Sequence, residues 1–141
     1  YKAWPLNLLL FYVLQLQWKP MVKPVIKAAT KNDIINIYGM PMNSSMKGIS
    51  VFLDGKVAGI GGIYYTKHNV IAFAHIKPEL RKYPVTIWRC ALKIKDLIKE
   101  SDAPVYSIAD PRIPKSDDLL MKMGFRFINR THQGDLYEWI G

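Results

Sequence analysis

Short apolar runs and longer amphipathic stretches alternate along this chain of 141 residues. Apolar runs rich in β-branched and aromatic residues predict β-strands at 25–29, 48–53, 56–65, 70–76, 105–109, 125–129 and 136–140. Apolar residues spaced three to four positions apart predict helices at 32–38, 85–100 and 114–123. This order of elements predicts an α/β protein in which three or four helices pack on a mixed sheet of about six or seven strands.

Residues at the ends of these elements support their bounds. Thr30 followed by Asp33 is a variant of the capping box that opens a helix. Pro84 suits a first helical turn, because its missing N–H would have no partner there. Asp54-Gly55 predicts a hairpin turn, and Gly124 predicts the end of a helix.

Three further predictions concern burial and connections. The unbroken apolar run 70–76 indicates a strand that is buried on both faces. Residues 40–47 combine methionine, proline and small polar residues, which predicts a loop. Residues 132–135 predict the turn that joins the last two strands as an antiparallel pair.

The first 20 residues differ from the rest of the chain. They contain two lysines, no acidic residue and an apolar centre from Leu6 to Leu16. This centre is shorter than the roughly 20 residues of a membrane span, so we expect no membrane partner. We predict residues 1–20 to be an extension outside the core fold; the alternative is an amphipathic arm that packs on the body or on a partner. Residues 21–141 are then expected to form one domain.

The net charge of +9 at neutral pH, from 20 basic and 11 acidic residues, indicates an anionic partner. The phosphates of a nucleotide-like cofactor would suffice. Nucleic acid is a weaker alternative, because the basic residues do not alternate with aromatic ones. The single cysteine, Cys90, lies in the amphipathic stretch 85–100, which predicts a core residue. One cysteine excludes an internal disulfide and favours a reducing, cytoplasmic compartment.

The stretch from Ile76 to Thr86 is the strongest functional signal from the residues alone. A strand ends there in a short loop containing Lys77, Arg81 and Lys82, and a helix begins immediately afterwards. Backbone N–H groups at a helix N-terminus and nearby positive charge together form an anion site. We therefore expect this loop to bind a phosphorylated cofactor.

Three segments, in this order, are similar to motifs of one enzyme family. Val25–Asp33 is similar to an I-R-x-A-T-x-x-D opening, Ile76–Arg81 to a V-x-P-x-x-R loop, and Leu119–Phe125 to a Y-x-K-x-G-F helix end. By these segments the chain resembles the GNAT family of N-acetyltransferases across residues 25–140, as a short member with degenerate motifs. The resemblance implies the GNAT fold, whose central sheet contains a splayed pair of parallel strands.

The resemblance also implies a co-substrate and its site. Acetyl-CoA would lie between the splayed strands, with its pantetheine arm along the strand end at Ala74 and Ile76, and the Ile76 N–H would polarise the thioester carbonyl. The pyrophosphate would be bound at the loop by Arg81, Lys82, Tyr83, Val85 and Thr86. The acceptor would be an unidentified primary amine, of a small molecule or a protein, that attacks directly in a ternary complex.

The sequence departs from the family pattern in three places. Pro84 and Thr86 fill positions where the family has small residues that let phosphate approach the backbone, and proline also removes one donor. Leu120 occupies the position of a tyrosine that protonates the leaving thiolate in many members. Residues 32–47 contain one short helix, where two usually shape the acceptor pocket.

Three residues are candidates for acid–base chemistry, and each has a structural alternative. His75 could remove the amine proton, since imidazole suits proton transfer near neutral pH, or it could be a buried, hydrogen-bonded histidine. Asp110 could act as a base at a strand end or cap the turn before Pro111. Tyr64 could protonate the thiolate or pack in the core. No cluster of His, Cys, Asp and Glu has the spacing of a metal site.

We therefore expect an acetyl-CoA-dependent N-acetyltransferase. The alternative is a non-catalytic GNAT-like binding or structural protein, similar to short relatives encoded by tailed bacteriophages, including virion components; a phage origin would place it in the host cytoplasm. Nucleic-acid binding rests on charge alone and is the weakest hypothesis. The C-terminal strands and the apolar extension could each support a homodimer.

Overall fold

Seven strands form one mixed sheet in the order β1-β2-β3-β4-β5-β7-β6. The computed structural model describes residues 22–109 and 116–141. Its strands are β1 (Val25–Ala28), β2 (Met46–Leu53), β3 (Lys56–Tyr65), β4 (Val70–Ile76), β5 (Val105–Ala109), β6 (Phe125–Thr131) and β7 (Gly134–Trp139). Its helices are α1 (Lys31–Tyr38), α2 (Pro84–Lys99) and α3 (Ser116–Met123), with a 3₁₀ helix (Pro78–Lys82) before α2. The predicted α/β architecture is confirmed, and β4 and β5 are its parallel pair.

Local signals in the sequence set the first elements. Thr30 and Asp33 form the predicted capping box, in which the Asp33 N–H donates to the Thr30 hydroxyl over 3.2 Å and the Thr30 N–H donates to the Asp33 carboxylate over 2.9 Å. Gly39 follows α1 with a φ of 74° and ends the helix. Asp54 and Gly55, with φ angles of 51° and 75°, form the predicted turn between β2 and β3.

Two predicted connections are shorter than expected. β2 begins at Met46, inside the predicted loop 40–47, because backbone pairing of Met46 with Tyr64 extends the hairpin. The last two strands pair as far as Thr131 with Gly134. Only two residues therefore join β6 to β7, rather than the predicted turn 132–135. In both places cross-strand pairing continues into residues whose composition is typical of turns.

The 3₁₀ helix and α2 approach the sheet closely over two glycines of β3. A Cβ at Gly59 would lie 2.6 Å from the Leu80 side chain, and a Cβ at Gly61 would lie 2.6 Å from the Ile94 side chain. Leu80 is only 2% exposed and anchors the 3₁₀ helix. The sequence pattern does not predict this helix, because one buried leucine among charged residues gives no periodicity.

The main core lies between the sheet and the helices α2 and α3. Its largest buried members are Ile63, Val70, Ile94, Ile98, Val105, Met123, Phe125 and Tyr137. The prediction that 70–76 is buried on both faces is wrong, because Val70 and Ala72 are buried whereas Ala74 is exposed. Burial falls toward the end of β4, since this end of the strand borders a cleft.

Some predictions concern residues outside the described ranges. These are the extension 1–20, the candidate base Asp110 and the first residues of the predicted helix 114–123. Across 22–109 and 116–141, no helix combines the length and the apolar character needed to cross a membrane.

Candidate active site

β4 is paired along its whole length on one side and along less than half of it on the other. Its residues pair with β3 from Val70, opposite Tyr65, to Ile76, opposite Gly59. Its pairing with β5 ends after three positions, of which the last joins Ala72 to Ser107. The two parallel strands therefore separate beyond Ala72 and leave a wedge-shaped gap toward the end of β4.

Backbone groups of Ala74 and Ile76 point into this gap. The Ser107 hydroxyl donates to the Ala72 C=O over 3.0 Å, so the Ala72 carbonyl faces β5. The Lys77 N–H donates to a β3 carbonyl over 2.9 Å, so Lys77 faces the other way. Because the hydrogen-bonding groups of successive residues alternate between the two sides of a strand, those of Ala74 and Ile76 face the gap. There they can bind an extended ligand in the place of a strand.

An apolar cleft of about 80 Å³ lies beside the gap, between the sheet and the helices α2 and α3. Residues that line it include Ala72, Ala74, Ile76, Ile87, Ile94, Leu119 and Leu120. Among its described lining residues, only Ser107 and Cys90 have a polar atom in the side chain. Cys90 is half-buried at the cleft wall rather than enclosed in the core, and burial raises the pKa of its thiol. The thiol is therefore neutral near pH 7.

The start of α2 carries two backbone donors without a helical partner. Tyr83 precedes α2 and makes no side-chain capping hydrogen bond, and Pro84 occupies the first helical position, as predicted. The N–H groups of Val85 and Thr86 lie in the first turn, where no carbonyl of the helix can accept from them. Together with the helix dipole, they form a backbone anion site.

The backbone N–H groups of Arg81, Lys82 and Tyr83, the other three residues expected to bind the pyrophosphate, have partners inside the chain. In a 3₁₀ helix each N–H donates to the carbonyl three residues earlier, which uses the N–H groups of Arg81 and Lys82. The Tyr83 N–H donates to the Leu80 C=O over 2.9 Å. The side chains of Arg81 and Lys82 are exposed in the last turn of the 3₁₀ helix. Their contribution to anion binding would therefore come from side-chain charge.

Several solved structures with the same architecture are acetyltransferases. The ribosomal-protein-S18-alanine N-acetyltransferase of Escherichia coli aligns with a TM-score of 0.61 at 13% identity, over 83% of this chain and 93% of that one. An acetyltransferase of the GNAT family from Staphylococcus aureus aligns with a TM-score of 0.57 at 14% identity, over 98% and 96% of the two chains. The chain has the GNAT fold.

A third structure of this fold includes a ligand. PaiA N-acetyltransferase of Thermoplasma acidophilum, in complex with coenzyme A, aligns with a TM-score of 0.56 at 11% identity, over 99% of this chain and 81% of that one. The sequence matches no protein-family model and no curated protein sequence. The resemblance carried by three short motifs is thus confirmed by the GNAT fold, whose splayed strand pair is β4–β5 here.

On the other face of the GNAT sheet, aromatic side chains lie beside β4. The Tyr38 ring at the end of α1 contacts the His75 ring edge-on, with centroids 5.6 Å apart. Tyr64 packs against Phe73, with centroids 5.8 Å apart. Burial and, to a smaller extent, the neighbouring Tyr64 raise the pKa of the Tyr38 phenol. Tyr38 is therefore a neutral hydroxyl near pH 7.

Two of the three predicted catalytic residues lie on this aromatic face. His75 and Tyr64 are both half-buried, so neither is enclosed in the core. Asp110 lies outside the described residues. Leu120 lines the cleft from α3, so the position where many family members carry a tyrosine offers no hydroxyl.

Two residues of this GNAT site are absent from the sequence-based predictions. Tyr38 ends α1, and the sequence of a helix gives no sign of which strand its last residue contacts. Ser107 is only 6% exposed in β5. A lone serine in the apolar run 105–109 is a usable signal, because a buried hydroxyl requires a hydrogen-bond partner.

Proposed function

We propose that the protein transfers an acetyl group from acetyl-CoA to a primary amine. The observation that carries this proposal is the early end of the β4–β5 pairing, beside an apolar cleft. The unpaired backbone of Ala74 and Ile76 suits the amide groups of a pantetheine arm. The Val85 and Thr86 N–H groups suit its phosphates. The coenzyme A complex of a protein with this fold supports the same class of ligand.

In this proposal acetyl-CoA supplies the acetyl group and the thiolate leaving group. The Ile76 N–H would donate to the carbonyl oxygen, where negative charge develops as the amine nitrogen bonds to the carbonyl carbon. The Ala74 N–H is a second donor on the same side of β4. A preorganised donor of this kind stabilises the developing charge without reorganisation during the reaction.

Proton transfer would involve the aromatic face. His75 is the candidate to take the proton from the amine, since imidazole is suited to general base catalysis near neutral pH. Asp110 is the alternative base. Tyr64, whose phenol is on the same face as His75, is the candidate to protonate the thiolate when the carbon–sulfur bond breaks. Leu120 cannot fill that role.

A non-catalytic GNAT-like protein is the second candidate. Pro84 and Thr86 fill positions that are small in the family, and the 3₁₀ helix uses N–H groups that could otherwise bind phosphate. These features weaken the phosphate site while leaving the fold intact. A protein with this fold and a weakened site could serve as a binding or structural module.

Calorimetric titration with acetyl-CoA separates the two candidates. An acetyltransferase should bind acetyl-CoA with micromolar affinity and a negative heat-capacity change, because apolar surface is buried in the cleft. Acetyl-CoA without its 3′-phosphate is the control for charge at the loop. A thiol-release assay with small amines and peptides should then detect free CoA. Absence of binding at millimolar acetyl-CoA would favour the non-catalytic protein.

Replacement of both Arg81 and Lys82 by alanine tests the basic loop. We expect acetyl-CoA to bind roughly threefold to tenfold more weakly, because two exposed cations near the phosphates are lost. The loss should shrink at high salt, where exposed charges are screened. Lys67→Ala is the matched control, since Lys67 is exposed in the turn before β4, at the opposite end of this strand. An equal effect of Lys67→Ala would contradict the assignment of the loop.

A further inference from the structure

The helix α1 reaches two positions that lie two strands apart in one row of the sheet. Ser50 on β2 pairs with Ile60 on β3, and Ile60 pairs with His75 on β4. The side chains of directly paired residues lie on the same face of a sheet. Asp33 of α1 contacts Ser50, and Tyr38 of α1 contacts His75. One short helix therefore contacts both Ser50 and His75.

The Ser50 end is a buried anchor. Ser50 is completely buried and Asp33 is 6% exposed. The Ser50 hydroxyl donates to the Asp33 carboxylate over 2.9 Å, and the Thr30 N–H donates to the same oxygen over 2.9 Å. Hydrogen bonds to a carboxylate are stronger than those between neutral groups. This pair therefore holds the first turn of α1 on β2.

The His75 end is an aromatic contact. From Asp33 to Tyr38 the helix rises by about 7.5 Å, which is close to the distance of about 9.6 Å across two strand spacings. Gly39 ends the helix immediately after Tyr38. The Tyr38 ring meets the His75 ring at an interplanar angle of 66°, an edge-to-face arrangement that aromatic pairs favour.

We propose that α1 is a positioning element for the imidazole of His75: the Asp33–Ser50 hydrogen bond fixes the helix, and Tyr38 at its end orients the ring toward the acceptor amine. This role rests on the proposed function, in which His75 accepts the amine proton. The imidazole needs such support because its terminal torsion is broad and has no strong intrinsic preference. Tyr38 is a positioning residue and takes no proton itself.

The surroundings of His75 agree with this role. Tyr38 of α1 is the titratable group that the structure shows in contact with His75 on this face, and Tyr64 of β3 acts on the Tyr38 phenol rather than on His75. Burial raises the pKa of the Tyr38 phenol, so the ring remains uncharged over the neutral range. Ring packing, rather than a charge, therefore orients the imidazole.

Matched variants of Tyr38 separate positioning from folding. Tyr38→Phe retains the ring and should keep kcat near that of the wild type. Tyr38→Leu removes the ring and should lower kcat roughly 10- to 100-fold, the scale of a misplaced catalytic group, with KM for acetyl-CoA unchanged. Tyr65→Leu is the control, because Tyr65 is about as exposed as Tyr38 but lies on the opposite face of β3 from Tyr64.

Ser50→Ala tests the anchor at the other end of α1. It should lower kcat with KM for acetyl-CoA unchanged, as Tyr38→Leu does, although neither Ser50 nor Asp33 contacts His75. The His75 ring resonances provide a readout that does not depend on activity. His68 and His132 are exposed and serve as internal references. Tyr38→Leu and Ser50→Ala should both move the His75 resonances and leave the references in place.

The outcomes distinguish this role from the proposed function. An active wild type with a Tyr38→Leu variant that keeps its kcat and its His75 resonances would overturn the positioning role alone. A folded wild type that binds no acetyl-CoA would overturn the proposed function, and with it the role of His75 as a base. A kcat loss in Tyr65→Leu as large as that in Tyr38→Leu would also overturn the positioning role.

Discussion

The two edges of β4 differ although one backbone forms both. Toward β3, all residues from Val70 to Ile76 are paired in register. Toward β5, pairing ends at Ala72. The β3 edge is joined through the short connection 66–69, which fixes the register locally, whereas the β5 edge is joined through the 3₁₀ helix and α2. When two neighbouring strands are joined by a long crossover, the two strands can diverge from each other.

The difference shows how a sheet can provide a binding site without a dedicated loop. On the β3 edge every hydrogen-bonding group of β4 is used within the hairpin. On the β5 edge the backbone hydrogen-bonding groups of Ala74 and Ile76 have no partner in β5 and face the gap beside the apolar cleft. Backbone polar groups in an apolar place need partners, and under the proposed function the amide groups of the pantetheine arm would be those partners. The two edges should therefore respond differently to substitution.

The largest expected effect comes from filling the gap. Ala74→Trp places an indole in a cleft of about 80 Å³. We expect acetyl-CoA to bind at least about 100-fold more weakly, a loss of ~2.7 kcal/mol, measured by calorimetry. The thermal midpoint should change little, because Ala74 is exposed. Val25→Trp, at an exposed site on the outer strand β1, is the size-matched control, and an equal loss of affinity there would contradict the location of the cleft.

A second prediction compares two adjacent glycines of β3, one that packs against the backbone of β2 and one that packs against a side chain of α2. A Cβ at Gly62 would overlap the Lys47 carbonyl of β2, which is backbone, whereas a Cβ at Gly61 would meet the flexible end of the Ile94 side chain. Gly62→Ala should therefore cost about 1–3 kcal/mol of unfolding free energy in urea, and Gly61→Ala less. Equal losses of unfolding free energy would show that the β2 backbone can move away from a new methyl group as easily as the Ile94 side chain can.

A third prediction sharpens the phosphate end of the gap. Pro84→Gly adds a backbone N–H at the start of α2 and removes the pyrrolidine ring. We expect acetyl-CoA to bind roughly twofold to fivefold more tightly, or ~0.4–1 kcal/mol. Calorimetry gives the affinity, and Pro104→Gly, at another exposed proline, controls for the general effect of losing proline. Weaker binding by Pro84→Gly would mean that the fixed φ of proline matters more than the donor.

The smallest expected effect concerns Cys90 at the cleft wall. Burial raises the pKa of its thiol. Because only the thiolate is alkylated, the reaction of Cys90 with iodoacetamide should reach half its maximal rate at a higher pH than that of free cysteine. Saturating acetyl-CoA should slow the reaction further by covering the thiol. Protein unfolded in urea should react at the rate of free cysteine; the same rate in the folded state would contradict the burial of Cys90.

Much of the fold could be predicted because its signals are local. The capping box at Thr30, the Asp54-Gly55 turn and Pro84 at the start of α2 each act within a few residues. The strand positions followed from apolar runs, and the GNAT fold followed from three motifs in the right order. The 3₁₀ helix could not be predicted, since a buried leucine at one position carries no period.

The candidate site was predictable only in part. Ala74, Ile76 and His75 lie on β4, so the alternation of their side chains between the two faces of the sheet follows from the strand itself. What surrounds each residue could not be predicted, because it depends on where β5 and α1 lie in the fold. Tyr38 beside His75 and Ser107 at the last β4–β5 pair are contacts between elements far apart in the chain. No pattern in the sequence indicates that residues so far apart in the chain are in contact.

The sequence by itself determined which segments are strands and α-helices, which cap and turn residues bound several of them, and that a basic segment precedes α2. Propensity, capping and turn chemistry act between near neighbours, so they can be read along the chain. Only the tertiary structure decided that β5 leaves β4 at Ala72 and that α1 carries Tyr38 to His75. Those features depend on packing between distant segments: Gly59 and Gly61 let Leu80 and Ile94 approach the sheet, and Asp33 fixes α1 on Ser50.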